Sequence, residues 1–441
     1  MSEDGVAPRL FNMGLLKKSL EAIVAQAAGL ALGLASGIII ARCLGPADKG
    51  AVALYTMMIG FLATLGNPGM GAANIFLVGR GRLGACQAWA NSWWLSWIMG
   101  TALGLLTFFC LPLFSILFQR PVDMGHLAIA LIGLPPAILL DCQLNLLRGL
   151  QRIGWFNAAQ LARTAARLIF VALLVAGLGY GLAGALWAAN LSLGLAVVLT
   201  AMMLRRQEGL QLTPSLAGLK ASLAYGLKLQ PGQIVQFLNY RLDLFFLAAL
   251  ADSRQVGLYA TAVFIAELVW YIPNGINIVL YPAVSASRDD AQARQISIRA
   301  MRHSMLWSVA LAVALGLASR PMINLLYGQT FDPSAQALRI LLLGMLAMVP
   351  AKLALNHLAG IGKPQYLTYA ALLGLAGTTA LDLWLIPRWG FIGAAWASVG
   401  SYLISFGGSL YWLKKHAGIG PGQGLLIRKP DLAEYQRWLG L

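Results

Sequence analysis

Five polar residues at helical spacing, Asn157, Gln160, Arg163, Thr164 and Arg167, interrupt an otherwise apolar stretch. On a helix, residues three or four apart share a face, so these five point the same way. Counted from Gly154 at about 1.5 Å per residue, Arg167 lies ~20 Å along that helix, too deep to reach the near membrane surface easily. A charged group facing lipid at that depth costs at least about 2.5 kcal/mol, so the face is expected to line a hydrated cavity. Guanidinium groups grip phosphate oxygens in a two-pronged fork. Arg163 and Arg167 are therefore expected to receive a pyrophosphate or an acidic sugar. The other reading is that they pair with carboxylates such as Asp141 and only hold the bundle together. The matching positions in 365–386 are apolar, which confines this charge to the first half of the chain.

Three further polar faces carry potential chemistry. Asp141, Asn145 and Arg148 share one helical face, and Asp141 is expected to neutralise one of the two arginines. Gln233, Gln236, Tyr240 and Asp243 form a stripe, while Arg241 and Asp243, two apart, point in different directions. Pro231 permits a bend below that stripe. Glu267, Trp270, Tyr271, Asn274 and Asn277 share a face that contains Pro273, with Glu267 near mid-span. A carboxylate at that depth takes up a proton or a cation, or it pairs with a base such as Arg241. The candidate substrate-binding residues are thus Asn157, Gln160, Arg163, Arg167, Gln233, Gln236, Tyr240 and Arg241. The candidate ion-coupling residues are Glu267, Asp243 and Asp141, serving H⁺ or Na⁺. Pro350, Lys352, Asn356 and His357 form a weaker cluster, and Asp382 and Glu21 carry no assignment.

Other chemistries lack their residues. Cys43, Cys86, Cys110 and Cys142 show no C-x-x-C spacing, and His126, His303, His357 and His416 are scattered, so no metal site is indicated. There is no G-x-x-x-x-G-K-[ST], H-E-x-x-H or G-x-S-x-G. No cofactor, no catalytic set and no nucleic-acid partner is expected.

The elements that must hold these residues follow from composition. Of 441 residues 59% are hydrophobic and 11% charged, against about 25% charged in soluble domains. Lipid is the expected solvent. Stretches long enough to span it lie near 20–41, 51–68, 88–117, 124–147, 157–178, 181–204, 223–250, 256–284, 304–326, 335–360, 365–386 and 391–413, twelve in all. The expected fold is an all-α integral membrane bundle. Residues 1–18 are polar and basic, and the long apolar segment after them reads as a first span rather than a signal peptide. The aromatic run Trp89, Trp93, Trp94 and Trp97 reads as an interfacial belt. Loops on one side carry Lys17, Lys18, Arg80, Arg82, Arg148, Arg152, Arg205, Arg206, Lys220, Arg288, Arg294, Arg299, Arg302, Lys363, Lys414 and Lys415. Loops on the other carry only Arg42, Lys49, Arg120, Arg254, Arg320 and Arg388. This bias places both termini in the cytoplasm. The net charge of +16 has the same origin, or reflects an anionic partner such as lipid phosphate, and the two are compatible.

The sequence also repeats. Gly184-Ala185-Leu186-Trp187-Ala188 matches Gly393-Ala394-Ala395-Trp396-Ala397, and the pairs Arg205-Arg206 and Lys414-Lys415 follow in register. Gly149…Gly154-Trp155 and Gly360…Gly362-Lys363, then Gly50…Tyr55 and Gly257…Tyr259, keep nearly the same offset. Two six-helix lobes of parallel topology, 1–211 and 212–441 with a short cytoplasmic tail, are expected around a central cavity, alternating access by rocking. Chance similarity among Gly/Ala-rich membrane segments is the competing explanation.

Several motifs carry a family resemblance. Arg42-Cys43-Leu44-Gly45-Pro46…Gly50 resembles the R-x-L-G-P-x-x-x-G opening of polysaccharide-export flippases. Asn239-Tyr240-Arg241-Leu242-Asp243, Val256-Gly257-Leu258-Tyr259, Pro282-Ala283-Val284-Ser285, Gly360-Ile361-Gly362-Lys363-Pro364 and Gly390-Phe391-Ile392-Gly393 follow in the same order. The chain thus resembles Wzx-like flippases of the multidrug/oligosaccharidyl-lipid/polysaccharide exporter superfamily. The resemblance implies a bacterial inner-membrane protein, not an enzyme. Its implied cargo is a polyprenyl-diphosphate-linked oligosaccharide, and its implied partners are membrane lipid, a coupling ion and other polysaccharide-assembly membrane proteins. It does not fix binding residues. A multidrug antiporter of the same superfamily would favour an acidic, aromatic cavity. A glycan ligase or polymerase would carry a sizeable outer loop.

Overall fold

A computed structural model describes residues 13–110, 123–208, 213–285, 287 and 289–425. Arg120, Arg288, the end of the third expected span and the tail beyond 425 lie outside the described residues, as do the side chains of Lys17, Lys18 and Glu21. All the regular structure described is helical. In hydrocarbon a backbone must satisfy its own polar groups, and for a chain rich in Leu, Ala and Gly the helix does so within each segment.

The helices in chain order are α1 (Met13–Gly66), α2 (Met70–Gly79), α3 (Ala85–Phe109), α4 (Met124–Ile132), α5 (Leu134–Gly149), α6 (Ile153–Val171) and α7 (Gly181–Glu208). They continue as α8 (Leu216–Leu250), α9 (Ser253–Ala266), α10 (Tyr271–Ser285), α11 (Asp290–Tyr327), α12 (Ser334–Gly360), α13 (Gln365–Ala417) and α14 (Pro421–Leu425). A π turn, Ala172–Gly177, extends α6, and a 3₁₀ turn, Glu267–Trp270, joins α9 to α10.

Among the described residues nine helices are long and apolar enough to cross a membrane. Two of these are double. A straight 54-residue α1 would run ~80 Å through a hydrocarbon layer of about 30 Å. The backbone leaves helical geometry at Gly45 (φ 76°, ψ −177°) in α1 and at Gly390 (φ 56°, ψ −135°) in α13. The halves of α13 lie side by side. The Ser401 hydroxyl donates to the Gly374 carbonyl at 2.9 Å, and the Thr378 and Ser401 hydroxyls meet at 2.7 Å. The 35-residue α8 is long enough to cross but carries Lys220, Lys228, Arg241 and Asp243, which dilute its apolar character. With it the twelve-crossing architecture read from the sequence stands.

Several boundaries shift for identifiable reasons. Asn67-Pro68-Gly69 reads as the end of a span, yet the helix resumes as α2, so the second crossing is broken rather than finished. The crossing that starts at 124 is broken at Gly133, where Pro135 and Pro136 start α5. α11 begins well before 304, because Asp289 caps it by accepting the Gln292 N–H at 2.6 Å and its polar first turns extend beyond the apolar stretch. At the other end of α11, Asp332 accepts from Arg320 Nε at 2.8 Å and Asn324 Nδ2 at 2.9 Å, which hold its carboxyl below the usual range.

The chain packs as two compact units. One comprises Met58–Cys110, Asp123–Pro231 and the described residues up to Cys43; the other comprises Leu44–Met57 and the described residues from Gly232 onward. In the first unit Leu139, Leu140 and Leu144 of α5 pack with Ala159 of α6 and Leu193, Ala196 and Val197 of α7. In the second, Leu280, Val284, Met301, Leu353, Leu358 and Leu413 form a core, and buried Ser401, Ser405 and Ser409 line a small-residue seam within α13. Small side chains let helix backbones approach closely where lipid supplies no hydrophobic drive. Outward faces are apolar: Leu317 is 79% exposed and Leu325 72%.

Candidate functional site

In the first unit, α6 seats Ala159 and Ala166 in the core. At about 100° per residue, Arg163, Arg167, Gln160, Thr164 and Asn157 fan out on one side of that seam, and exposed Ile169 lies on the other. The five residues therefore share one face, opposite exposed Ile169. Arg163, Arg167 and Asn157 are half-buried and Gln160 is exposed. Thr164 donates to the Gln160 carbonyl at 3.0 Å and is satisfied within its own helix. Neither arginine takes part in an ion pair among the described residues, and Arg167 Nε is buried without a hydrogen-bond partner.

Asp141 does not neutralise them, which corrects the pairing expected from the sequence. Leu140 and Leu144 of α5 face α6, and Asp141 is turned about a quarter circle away. Its Oδ2 accepts from Asn67 Nδ2 at 2.7 Å and from Asn145 Nδ2 at 3.1 Å. Arg148 Nη1 donates to Asn145 Oδ1 at 3.4 Å, and its guanidinium lies 4.1 Å from the Phe156 ring centroid. Gly71 makes this chain possible: a Cβ there would stand 2.5 Å from Asn145 Nδ2 and 2.9 Å from Asp141 Oδ2. A larger residue there would push the Asn145 amide and the Asp141 carboxylate out of their present positions.

In the second unit the α8 stripe separates by depth. Gln233 and Gln236 are exposed, Tyr240 and Arg241 are half-buried, and Asp243 is buried. Tyr259 OH donates to Asp243 Oδ2 at 2.6 Å, the Leu244 N–H donates to Oδ1 at 2.7 Å, and the Ser398 hydroxyl lies 2.9 Å from Tyr259 OH. Asp382, 0% exposed, stands within electrostatic reach of Asp243, and neither of its oxygens has a hydrogen-bond partner. From the sequence Asp382 carries no assignment, and Tyr259 enters only as a landmark of the repeat and of the family motif. A lone carboxylate between Leu381 and Leu383 in mid-span was the available signal.

Arg241 and Asp243 form no direct ion pair, as their spacing leads one to expect, though each lies within electrostatic reach of the other. Arg241 Nη1 lies 3.2 Å from Glu267 Oε1, with the side chains 36% and 27% exposed, so the salt bridge expected as one alternative for Glu267 is present. Of the weaker cluster, His357 is buried with Nδ1 2.6 Å from the Ser297 hydroxyl, a core contact. Lys352 stands instead over Trp270. No group of three or more His, Cys, Asp or Glu gathers to hold a metal ion among the described residues.

The arrangement of helices is that of a known fold. The structure is similar to the inward closed conformation of the lipid II flippase MurJ, with a TM-score of 0.78 and 14% identity over 92% of this chain and 88% of that one. It is also similar to an inward-facing multidrug resistance MATE family transporter of the MOP superfamily, with a TM-score of 0.74 and 17% identity over 90% and 98% of the two chains. In sequence, the succinoglycan biosynthesis transport protein ExoT of Rhizobium meliloti is 24% identical over 352 residues, 77% of this chain and 68% of that protein. An uncharacterised membrane protein of Methanocaldococcus jannaschii is 26% identical over 172 residues, 38% of this chain and only 33% of its own length. Residues 39–336 match the family model described as polysaccharide biosynthesis protein, which spans most of the chain and includes the α6 arginines, Asp243 and Glu267: the chain belongs to that family.

Proposed function

We propose that this multi-pass membrane protein is a bacterial inner-membrane flippase with cytoplasmic termini. It moves a polyprenyl-diphosphate-linked oligosaccharide to the outer leaflet by ion-coupled alternating access of its two six-helix repeats, 1–211 and 212–441. The observation that carries the reading is the unpaired state of Arg163 and Arg167. Two guanidinium groups one helical turn apart repel each other, and no carboxylate among the described residues offsets them. A diphosphate supplies the missing charge and fits the forked donors. Asn157 and Gln160 extend the same face with amides for sugar hydroxyls. A pump for organic cations gains nothing from this arrangement.

Coupling is assigned to Asp243 and Asp382. Asp243 has the Arg241 charge within electrostatic reach, but that guanidinium is already paired with Glu267, and Asp382 has no basic partner among the described residues; two neighbouring buried carboxylates so placed favour uptake of a proton or monovalent cation. Tyr259 and Ser398 supply the remaining oxygens. Glu267, already held by Arg241, is the second candidate.

The test is export of surface glycan in cells that depend on this chain. Arg163→Ala and Arg167→Ala each lower export at normal protein level, and the double variant abolishes it. Full export by the double variant removes the diphosphate site.

A further inference from the structure

A third cation stands outside any ion pair among the described residues. Lys352 of α12 is half-buried, and its Nζ lies 4.2 Å from the Trp270 ring centroid and 5.6 Å from that of Tyr240. It donates to Asn274 Oδ1 at 3.5 Å. Glu267 lies within its electrostatic reach, but the ion pair that Glu267 makes is with Arg241.

The platform under this lysine is fixed. Trp270 is 6% exposed, its indole N–H donates to the Met345 carbonyl at 3.3 Å, and its ring packs between Tyr240 (5.7 Å) and Tyr402 (5.6 Å). In the 3₁₀ turn residues three apart eclipse, so Glu267 and Trp270 stand on one edge of the element. A cation over aromatic faces keeps its N–H bonds available, and an ammonium has three of them. One goes to Asn274. Beside it Tyr271 is 46% exposed, and Asn277 Oδ1 is buried without a donor.

We propose that Lys352, Trp270, Asn274 and Asn277 form a subsite for a carboxylate-bearing sugar of the transported glycan. The inference rests on the flippase reading and adds a specificity element to it. A single ammonium is a point charge suited to a carboxylate, whereas the forked pair on α6 suits a diphosphate. Exposed Tyr271 offers a flat face to a sugar ring, and the two Asn side chains match hydroxyl groups. A sugar hydroxyl provides the donor that Asn277 Oδ1 lacks.

The experiment uses cells lacking their own flippase that build one of two glycans on the same diphosphate lipid, one containing a hexuronic acid and one made of neutral hexoses. Lys352→Met keeps the stem packed on Trp270 and removes the charge; Lys352→Gln replaces it if the Met variant does not accumulate. At matched protein level, display of the acidic glycan falls about tenfold, the loss expected for one charge-assisted contact. Display of the neutral glycan is unchanged, and Lys352→Arg recovers most of the acidic export. Equal loss of both glycans, or loss of neither, overturns the inference and leaves the flippase reading in place. A wild-type chain that displays neither glycan overturns both.

Discussion

Replacing Asp382 by Asn separates stability from function. The wild-type carboxylate is fully buried, has no hydrogen-bond partner and lies near a second buried carboxylate. An ionisable group at membrane depth costs at least about 2.5 kcal/mol, and a bound ion offsets that cost. The stabilisation from an occupant is RT ln(1 + [L]/Kd), about 2.7 kcal/mol at a hundredfold excess over Kd. The wild-type melting temperature in detergent should therefore respond to one ion: to sodium at fixed pH, or to pH at fixed sodium. Asp382→Asn keeps the shape, removes the charge and should flatten that response, with a melting temperature at or above that of the ion-free wild type. In vesicles the same variant should lose acceleration by an ion gradient. A variant that melts lower than wild type under every condition, or that keeps the full ion response, refutes the assignment and leaves Asp382 a structural residue.

Other perturbations test the remaining pieces. Arg163→Ala or Arg167→Ala removes charge-assisted contacts worth about 1.5–3 kcal/mol, so apparent affinity for the lipid-linked substrate should drop roughly 10- to 100-fold, measured as accumulation of unexported lipid-linked glycan. Because the two guanidiniums repel each other, each single alanine variant should also raise the melting temperature slightly. Glu267→Gln should weaken gradient-driven export; if the Arg241 pair is only a brace, Arg241→Gln combined with it restores export, and gradient-dependent transport in vesicles distinguishes the two outcomes. Asp332 titrates below its ordinary value of 3.8, so its contribution is present above that pH and is lost as pH falls through its lowered native value. Asp332→Asn should lower the melting temperature at neutral pH, with the difference from wild type closing in strong acid.

The crossings were legible because lipid imposes one rule, a long run of apolar residues, and α3, α7 and α12 obey it. α8 was legible only through its polar stripe, since its charges take it out of the purely apolar class. The breaks were harder to read. Pro68-Gly69 carries the same local signal whether a helix ends there or pauses and resumes as α2, and only packing separates the two. The candidate sites divided along the same line. The α6 face followed from spacing alone, because five polar residues on a 3.6-residue period have one geometric outcome. The surroundings of Asp141 and Asp382 did not, because they depend on which helix stands opposite. Asn67 lies 74 residues from Asp141, and no periodicity links them.

The charges divide by unit. The first unit holds two guanidiniums without counter-charge, and the second holds a buried carboxylate, Asp382, without one. In a protein selected only for stability these groups would pair or be replaced, since an uncompensated buried charge costs several kcal/mol. Leaving both sets open makes sense if each is completed by a ligand of opposite sign. An anionic head group and a cation then stabilise the protein through separate sites. Ions can drive the cargo only through a change of conformation that both occupants bias, and linkage makes that influence reciprocal. An ion that tightens cargo binding must itself be bound more tightly, by the same factor, when cargo is present. Direct electrostatic contact between the two ligands is not required, so the cationic face on α6 can remain free of carboxylates without losing its coupling to them.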